Sequence, residues 1–300
     1  MTLEQLDADY SLTHQLTFVA GPGGLPMIEI NNPLAKATIS VYGGQVLSFQ
    51  PVGAADLLFL SEQAYYAEGK AIKGGVPVCW PWFGADPENK GRAAHGFVRN
   101  RMWNVNSTET LEDGETKVVL GLSDSEATRE IWPYGFEMAI AITVGTTLRL
   151  QLMTRNTGDQ PFALTQALHT YFSVGEIGQV EVLGLEGTRY LDKAKGSGGG
   201  EKSQLDAVTV AAEVDRIYLN VPSELAIVDA SLGRRINITS SGSKTAVVWN
   251  PWAEIAAASG DLADDSYQKF ICVETTNAAT DVVEVPVGGD ACLVATYGIG

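Results

Sequence analysis

The chain is poor in cysteine, histidine and positive charge. Only three of its 300 residues are cysteines, Cys79, Cys272 and Cys292. An odd number, widely spaced and without a C-x-x-C pair, offers neither a disulfide framework nor a cysteine-based zinc site. Lysine and arginine number 20 against 36 acidic residues, a net charge of −16. That balance excludes nonspecific nucleic-acid binding, which needs a broad cationic surface to displace counterions, and disfavours anionic membranes. No apolar run reaches the length that spans a bilayer. The segment Met1–Tyr10 lacks the basic start and apolar centre of a secretory signal. A cytoplasmic protein with reduced thiols is expected. Helix-period patterning is also scarce. Only Ala253–Ser259, and a single turn at Ser61–Tyr66, suggest helix, and no alternating helix–strand units occur.

What the chain does have is apolar residues in short alternating runs. Hydrophobic residues make up 45% of it, enough for a large core. Runs such as Gln15–Ala20, Met27–Asn31, Lys36–Tyr42 and Gln45–Gln50 alternate in period two and end at Gly, Pro, Asn or Asp. Met102–Thr108, Thr116–Ser123, Phe136–Val144 and Leu148–Arg155 continue the pattern. So do Val180–Leu185, Arg216–Asn220, Leu225–Asp229, Arg234–Thr239, Thr245–Asn250, Phe270–Thr275 and Ala291–Tyr297. Such runs read as antiparallel strands. Gly43-Gly44 and Gly145-Thr-Thr147 mark hairpin turns. Phe162–Phe172 reads as one long strand with His169 and Tyr171 on a cleft face and Leu164, Leu168 and Phe172 on a core face. The pattern predicts an all-β fold, a large antiparallel sandwich with few short helices, in one domain over residues 1–300. Gly196–Gly200 is the best candidate for a linker, but strand-like runs continue on both sides, so a loop tip is expected.

Against this background one stretch stands out, Lys70–Trp103. It carries six basic residues (Lys70, Lys73, Lys90, Arg92, Arg99, Arg101) and two acidic ones (Asp86, Glu88) in a strongly anionic chain. A cationic island of this kind suits a bound anion; solvated charges on a tight loop are the plainer alternative.

Few residues can carry chemistry. Of the three histidines, His14 lies in a polar N-terminal segment, His95 in the cationic stretch and His169 mid-strand. Glu274 follows an apolar run, Phe270–Val273, so its carboxyl is expected to be buried, which suits a general base. Asp215 stands at a strand start, where a turn or cap role is the plain expectation. The aromatics Trp80, Trp82, Phe83, Phe97, Trp103, Tyr171, Trp249 and Trp252 cluster near these motifs. They suit either core filling or stacking on sugar faces. Gly196–Lys202 is not a phosphate-binding P-loop, because Glu201 precedes the lysine. His95, His169 and Glu274 share no metal-ligand spacing, and no metal or other cofactor is expected.

Five motifs occur in order: Ile72–Gly84, Ala94–Arg99, Leu168–Phe172, Val214–Tyr218 and Val273–Asn277. Together they resemble the hexose-6-phosphate mutarotases (glucose-6-phosphate 1-epimerases) of the aldose 1-epimerase, or galactose mutarotase-like, superfamily. The resemblance runs from about Leu16 to Tyr297. It implies a β-supersandwich with a sugar cleft on one sheet, a phosphorylated hexose as substrate, and a monomer. It also implies that Glu274 is the base at the C1 hydroxyl and His169 the acid at the ring oxygen. Asp215 and His95 would bind substrate hydroxyls, and Lys73 and Arg99 the phosphate. The chain departs from the family pattern at Lys73, where arginine is usual, and at Ala94, where some relatives carry a polar residue. These departures bear on phosphate preference and leave free aldoses as an alternative; carbohydrate binding without turnover is a second, against which the His169/Glu274 pair argues.

Overall fold

Alternating apolar positions must find two covered faces, and here they do so by pairing strands into stacked antiparallel sheets. A computed structural model describes residues 1–300. One eight-stranded sheet runs Glu201–Ser203, Arg189–Asp192, Val214–Leu219, Thr245–Asn250, Phe270–Asn277, Gln166–Leu168 and Val78–Cys79, with Tyr171–Ser173 also pairing with Phe270–Asn277. It is called the cleft sheet below. A second eight-stranded sheet runs Val180–Leu183, Glu224–Asp229, Arg234–Ser241, Asp290–Ile299, Leu148–Asn156, Phe136–Val144, Thr116–Ser123 and Asn104–Thr110. A four-stranded sheet, Leu16–Ala20 to Gln45–Pro51, follows chain order, and the two strands Phe162–Leu164 and Val283–Val285 form a small ribbon.

The core lies between the layers. One cluster of 59 buried apolar residues draws on the chain from Leu6 to Tyr297. Strands of the second sheet alternate buried and exposed, as in Leu148–Asn156, because one face meets solvent. All eight residues of Phe270–Asn277 are buried. That strand is covered on the core side by the second sheet and on the other side by the walls of a cleft.

Two expectations need correction. Phe162–Phe172 is not one strand; it breaks into Phe162–Leu164, Gln166–Leu168 and Tyr171–Ser173. The first piece leaves for the two-stranded ribbon, while the other two stay in the cleft sheet. Ser61–Tyr66 is turn and irregular chain rather than a helical turn. Ser61 is instead tied across the chain, its hydroxyl donating to the Asp261 carbonyl at 2.7 Å. The helix at the Ala253–Ser259 run is present as Trp252–Ala258. Two others, Leu3–Tyr10 and Glu126–Ile131, escaped pattern reading because each buries only one side chain. Their signal is at the ends: Thr2 and Ser125 each form a capping box. No helix is long and apolar enough to cross a membrane.

Candidate active site

On the open face of the cleft sheet lies a cavity of about 600 Å³. It is lined by Lys73, His95, Arg99, His169, Asp215 and Glu274. All six residues singled out in the sequence thus meet in one place, from segments two hundred residues apart. A second cavity, about 690 Å³, lies behind the His95 loop and is walled by Trp82, Phe97, Arg92 and Arg101. It contains neither a histidine nor a close acid–base pair, so the chemistry is placed in the first.

Strand register brings His169 and Glu274 together. Leu168 pairs with Thr275, and Tyr171 pairs with Cys272, which sets His169 opposite Glu274. The ladder lapses at residues 169 and 170, where the His169 amide donates instead to the Pro77 carbonyl at 2.9 Å. The imidazole Nδ1 lies 3.5 Å from Glu274 Oε1, with the carboxyl side chain 1% and the imidazole 10% exposed. His169 Nδ1 and Glu274 Oε2 have no hydrogen-bond partner within the protein. Polar atoms buried without partners are costly, and these two border the cleft where a ligand can satisfy them.

Burial governs the protons of this pair. It pushes the Glu274 carboxyl well above the usual carboxylate range; nearby Asp215 adds to the rise, and Arg99 opposes it. Burial likewise pushes the His169 imidazole well below its usual value, helped by His95, Arg99 and Lys73. Both neutral forms are therefore favoured by burial, with the proton on the carboxyl. The alternative tautomer, carboxylate beside imidazolium, has the same net charge, so one proton can move through the pair without exchange with solvent.

His95 is held in a left-handed backbone conformation, φ 64°. Its Nδ1 accepts the Gly84 amide at 3.3 Å and its own amide donates to the Gly84 carbonyl at 2.7 Å. With Nδ1 occupied as an acceptor, the neutral ring carries its hydrogen on Nε2. Burial, with Arg99 and Lys73, lowers this imidazole to about 3, so it is a neutral hydrogen-bonding group at pH 7. The next residue must be glycine: at Gly96 (φ 73°) a Cβ would sit 1.8 Å from the Trp80 carbonyl oxygen.

The cationic stretch divides its charges. Arg92 and Lys90 are consumed within the loop, Arg92 by Asp86 and Glu88, and Lys90 by Glu88. Asp86 also accepts the amides of Glu88, Lys90 and Arg92, which fixes the loop leading to His95. Lys73 and Arg99 turn to the cleft. Gln45 Nε2 donates to the carbonyls on either side of Lys73, Ile72 at 3.2 Å and Gly74 at 2.6 Å. Lys73 Nζ lies 3.4 Å from Asp261. Arg99 donates through Nη2 to the Ala94 carbonyl at 2.9 Å, while its buried Nε has no protein partner.

Asp215 is the second residue of Val214–Leu219, not a cap, and lies opposite Trp249 in register. Burial, then Glu213, raises its carboxyl to about 6, with Lys193 pulling the other way. In a sample labelled at the Asp carboxyl carbons, Asp215 is expected to titrate near pH 6, and Glu213→Gln to move it downward. Because the folded-state value lies above the unfolded one, the stability held by the protonated carboxyl is lost as pH rises from about 4 through about 6. A midpoint at or below 4 in carbon NMR would overturn this assignment.

Several lining residues were not singled out in the sequence. Lys193 sits on the wall beside Asp215, and Asp261, outside the lining, pairs Lys73; neither stands in a recognisable motif. The aromatics split: Trp80 and Trp103 fill the core, Trp82 and Phe97 wall the second cavity, and Phe83, Tyr171 and Trp249 line the cleft. Tyr171 stacks on His169 with ring centres 5.0 Å apart. No three His, Cys, Asp or Glu side chains gather at a metal-binding spacing.

The family model described as aldose 1-epimerase matches residues 26–288. The chain belongs to the aldose 1-epimerase family. A Salmonella typhimurium protein named "Putative glucose-6-phosphate 1-epimerase" is 37% identical over 255 residues, covering 85% of this chain and 84% of that protein. An Escherichia coli protein of the same name is 38% identical over 256 residues, with 85% and 84% covered. A crystal structure of a Salmonella typhimurium protein described as a "putative mutarotase" superposes with a TM-score of 0.89 at 34% identity, covering 97% of this chain and 95% of that one. The superposition spans both eight-stranded sheets, and the β-sandwich of this family is therefore the fold of this chain.

Proposed function

We propose that the protein interconverts the α and β anomers of a hexose 6-phosphate, glucose 6-phosphate above all, by acid–base opening and closure of the sugar ring. The observation that carries this reading is the buried His169–Glu274 pair, 3.5 Å apart, in a cleft that also presents Lys73 and Arg99. Mutarotation needs a base and an acid on two oxygens of one carbon, each within about 2.6–3.2 Å of its oxygen. Glu274 as carboxylate takes the proton of the C1 hydroxyl while His169 as imidazolium protonates the ring oxygen. The ring opens to an aldehyde, and the pair is left as carboxyl and neutral imidazole. That is the tautomer favoured by burial. Rotation about C1–C2 presents the other face of the carbonyl. The same two groups then run in reverse and deliver the opposite anomer, so no outside proton is required.

Asp215 accepts from a substrate hydroxyl, and His95 donates to the sugar through Nε2. Phe83, Tyr171 and Trp249 offer apolar faces to the sugar's C–H surface. Lys73 and Arg99 receive the phosphate, both lining the cleft. The chain works as a single domain over residues 1–300, as a monomer, in the cytoplasm, where a charged sugar phosphate that does not cross bilayers is held. Its net charge of −16 repels nucleic acid and anionic lipid alike.

A second reading, free aldoses as substrates, has one observation in its favour: Asp261 already partners Lys73 and offsets its charge. Anomer exchange measured by NMR on glucose 6-phosphate and glucose side by side separates the two. Exchange of glucose 6-phosphate well above the buffer rate, and faster than that of glucose, is expected. Equal rates would favour the free sugar, and no acceleration of either at micromolar protein would leave carbohydrate binding without turnover.

A further inference from the structure

Behind the cleft, the apolar core between the two large sheets contains a small set of hydroxyls. Tyr297, on Asp290–Ile299 of the second sheet, is fully buried. Its Oη lies 2.6 Å from Thr170 Oγ1. On the neighbouring strand, the Thr275 Oγ1 lies 2.7 Å from Ser240 Oγ. Thr170 follows His169 and Thr275 follows Glu274, so alternation along the chain turns these hydroxyls to the core while their neighbours face the cleft. The Tyr297 ring stands edge-on to Phe172, centres 5.1 Å apart. A phenylalanine would fill that space without burying a polar atom.

The location is informative. Paired backbone hydrogen bonds hold neighbouring strands at a fixed spacing, and that pairing lapses at residues 169 and 170, opposite Glu274 and Val273. The Thr170 amide turns back to the Leu168 carbonyl at 3.0 Å rather than across to the next strand. The spacing of His169 from Glu274 is thus free of the ladder at the one point where a fraction of an ångström matters.

We propose that Tyr297 is a positioning residue for the His169–Glu274 pair: its hydroxyl, reaching from the opposite sheet to Thr170 Oγ1 beside His169, holds the segment where strand pairing lapses and so sets the distance between acid and base. This rests on the anomer-exchange reading above. Tyr297→Phe keeps the ring and removes the tie. It is expected to lower kcat for glucose 6-phosphate about tenfold with KM within about twofold, because substrate contacts are untouched. Thr170→Val should reproduce the loss, Thr170→Ser should restore it, and the Tyr297→Phe/Thr170→Val pair should be no worse than either alone. Tyr218→Phe is the control. It removes another buried hydroxyl, one that donates to Gln204 at 2.8 Å and makes no hydrogen bond to Thr170, and should leave kcat unchanged. The His169 ring resonance should shift in Tyr297→Phe and not in Tyr218→Phe. If the unmodified protein exchanges no anomers, the function is wrong and the His169 resonance alone decides the positioning role. Wild-type kcat with an unshifted His169 resonance in Tyr297→Phe, or equal kcat losses in both Phe variants, overturns it.

Discussion

Glu274→Gln is expected to lower kcat for glucose 6-phosphate by about 10³-fold or more while the protein becomes more resistant to heat. General acid–base groups contribute roughly 10²–10⁴ in rate, and glutamine cannot take the C1 proton. The gain in stability follows from burial. The folded protein holds the Glu274 carboxyl well above its usual range, so near pH 7 folding must take up a proton that the unfolded chain has released, which opposes folding. As pH rises above the usual carboxylate value, that opposition grows; glutamine, which does not ionise, removes it. His169→Ala should lose a comparable factor, without the stability gain, because it empties a site stacked on Tyr171. Rates by NMR anomer exchange, beside thermal melts at pH 5 and pH 8, check both. Near-wild-type exchange in either variant would remove that residue from the mechanism. A Glu274→Gln protein that melts earlier at pH 8 than the parent would contradict the electrostatic account.

Arg99→Ala is expected to cut kcat/KM for glucose 6-phosphate by about 10²-fold and to leave glucose turnover within a few fold. A charge-assisted hydrogen bond contributes about 1.5–3 kcal/mol, which is a factor of roughly ten to a hundred and fifty. Arg99 has the larger share because it lines the cleft with no carboxylate paired to it. Lys73→Ala should cost less, about tenfold, since Lys73 is already engaged by Asp261 and a lysine lacks the bidentate fork. Lys73→Arg should then tighten KM for the phosphorylated sugar. Steady-state kinetics with both sugars distinguish these outcomes. Equal losses on glucose and glucose 6-phosphate in Arg99→Ala would mean that Arg99 acts on the proton-transfer pair through its field rather than on the phosphate. The proximity of Arg99 to Glu274 and His169 makes that a real alternative outcome.

Much of the fold was readable in the sequence because period-two alternation reports a half-buried strand directly. Thr116–Ser123 and Phe136–Val144 have the same bounds in pattern and structure. The reading failed where local pattern and tertiary demand part. Phe162–Phe172 is a long run without a turn-forming residue, yet the chain breaks twice within it, because its first piece pairs with Val283–Val285 and the rest with Phe270–Asn277. Periodicity carries no information about which partner a strand will take. The capped helices Leu3–Tyr10 and Glu126–Ile131 were missed for the opposite reason: they are held by their ends, and their apolar faces are too small to show.

The cationic stretch marks the same boundary. Its charge, and the two motifs within it followed in order by three later ones, are properties of the sequence, and with the family resemblance they carry they single out Lys73, His95, Arg99, His169, Asp215 and Glu274. Only the tertiary structure decided which charges are available. Asp86 and Glu88 neutralise Arg92 and Lys90 within the loop, Asp261 reaches across from a distant segment to Lys73, and Arg99 lines the cleft with no carboxylate paired to it. The same holds for the proton-transfer pair. The sequence determines that a histidine and a glutamate stand in strand-like surroundings. Their 3.5 Å separation, their burial and the hydroxyls behind them depend on strands and side chains remote in the chain. Distance and desolvation are set by what packs around a group, and no local run of residues specifies that.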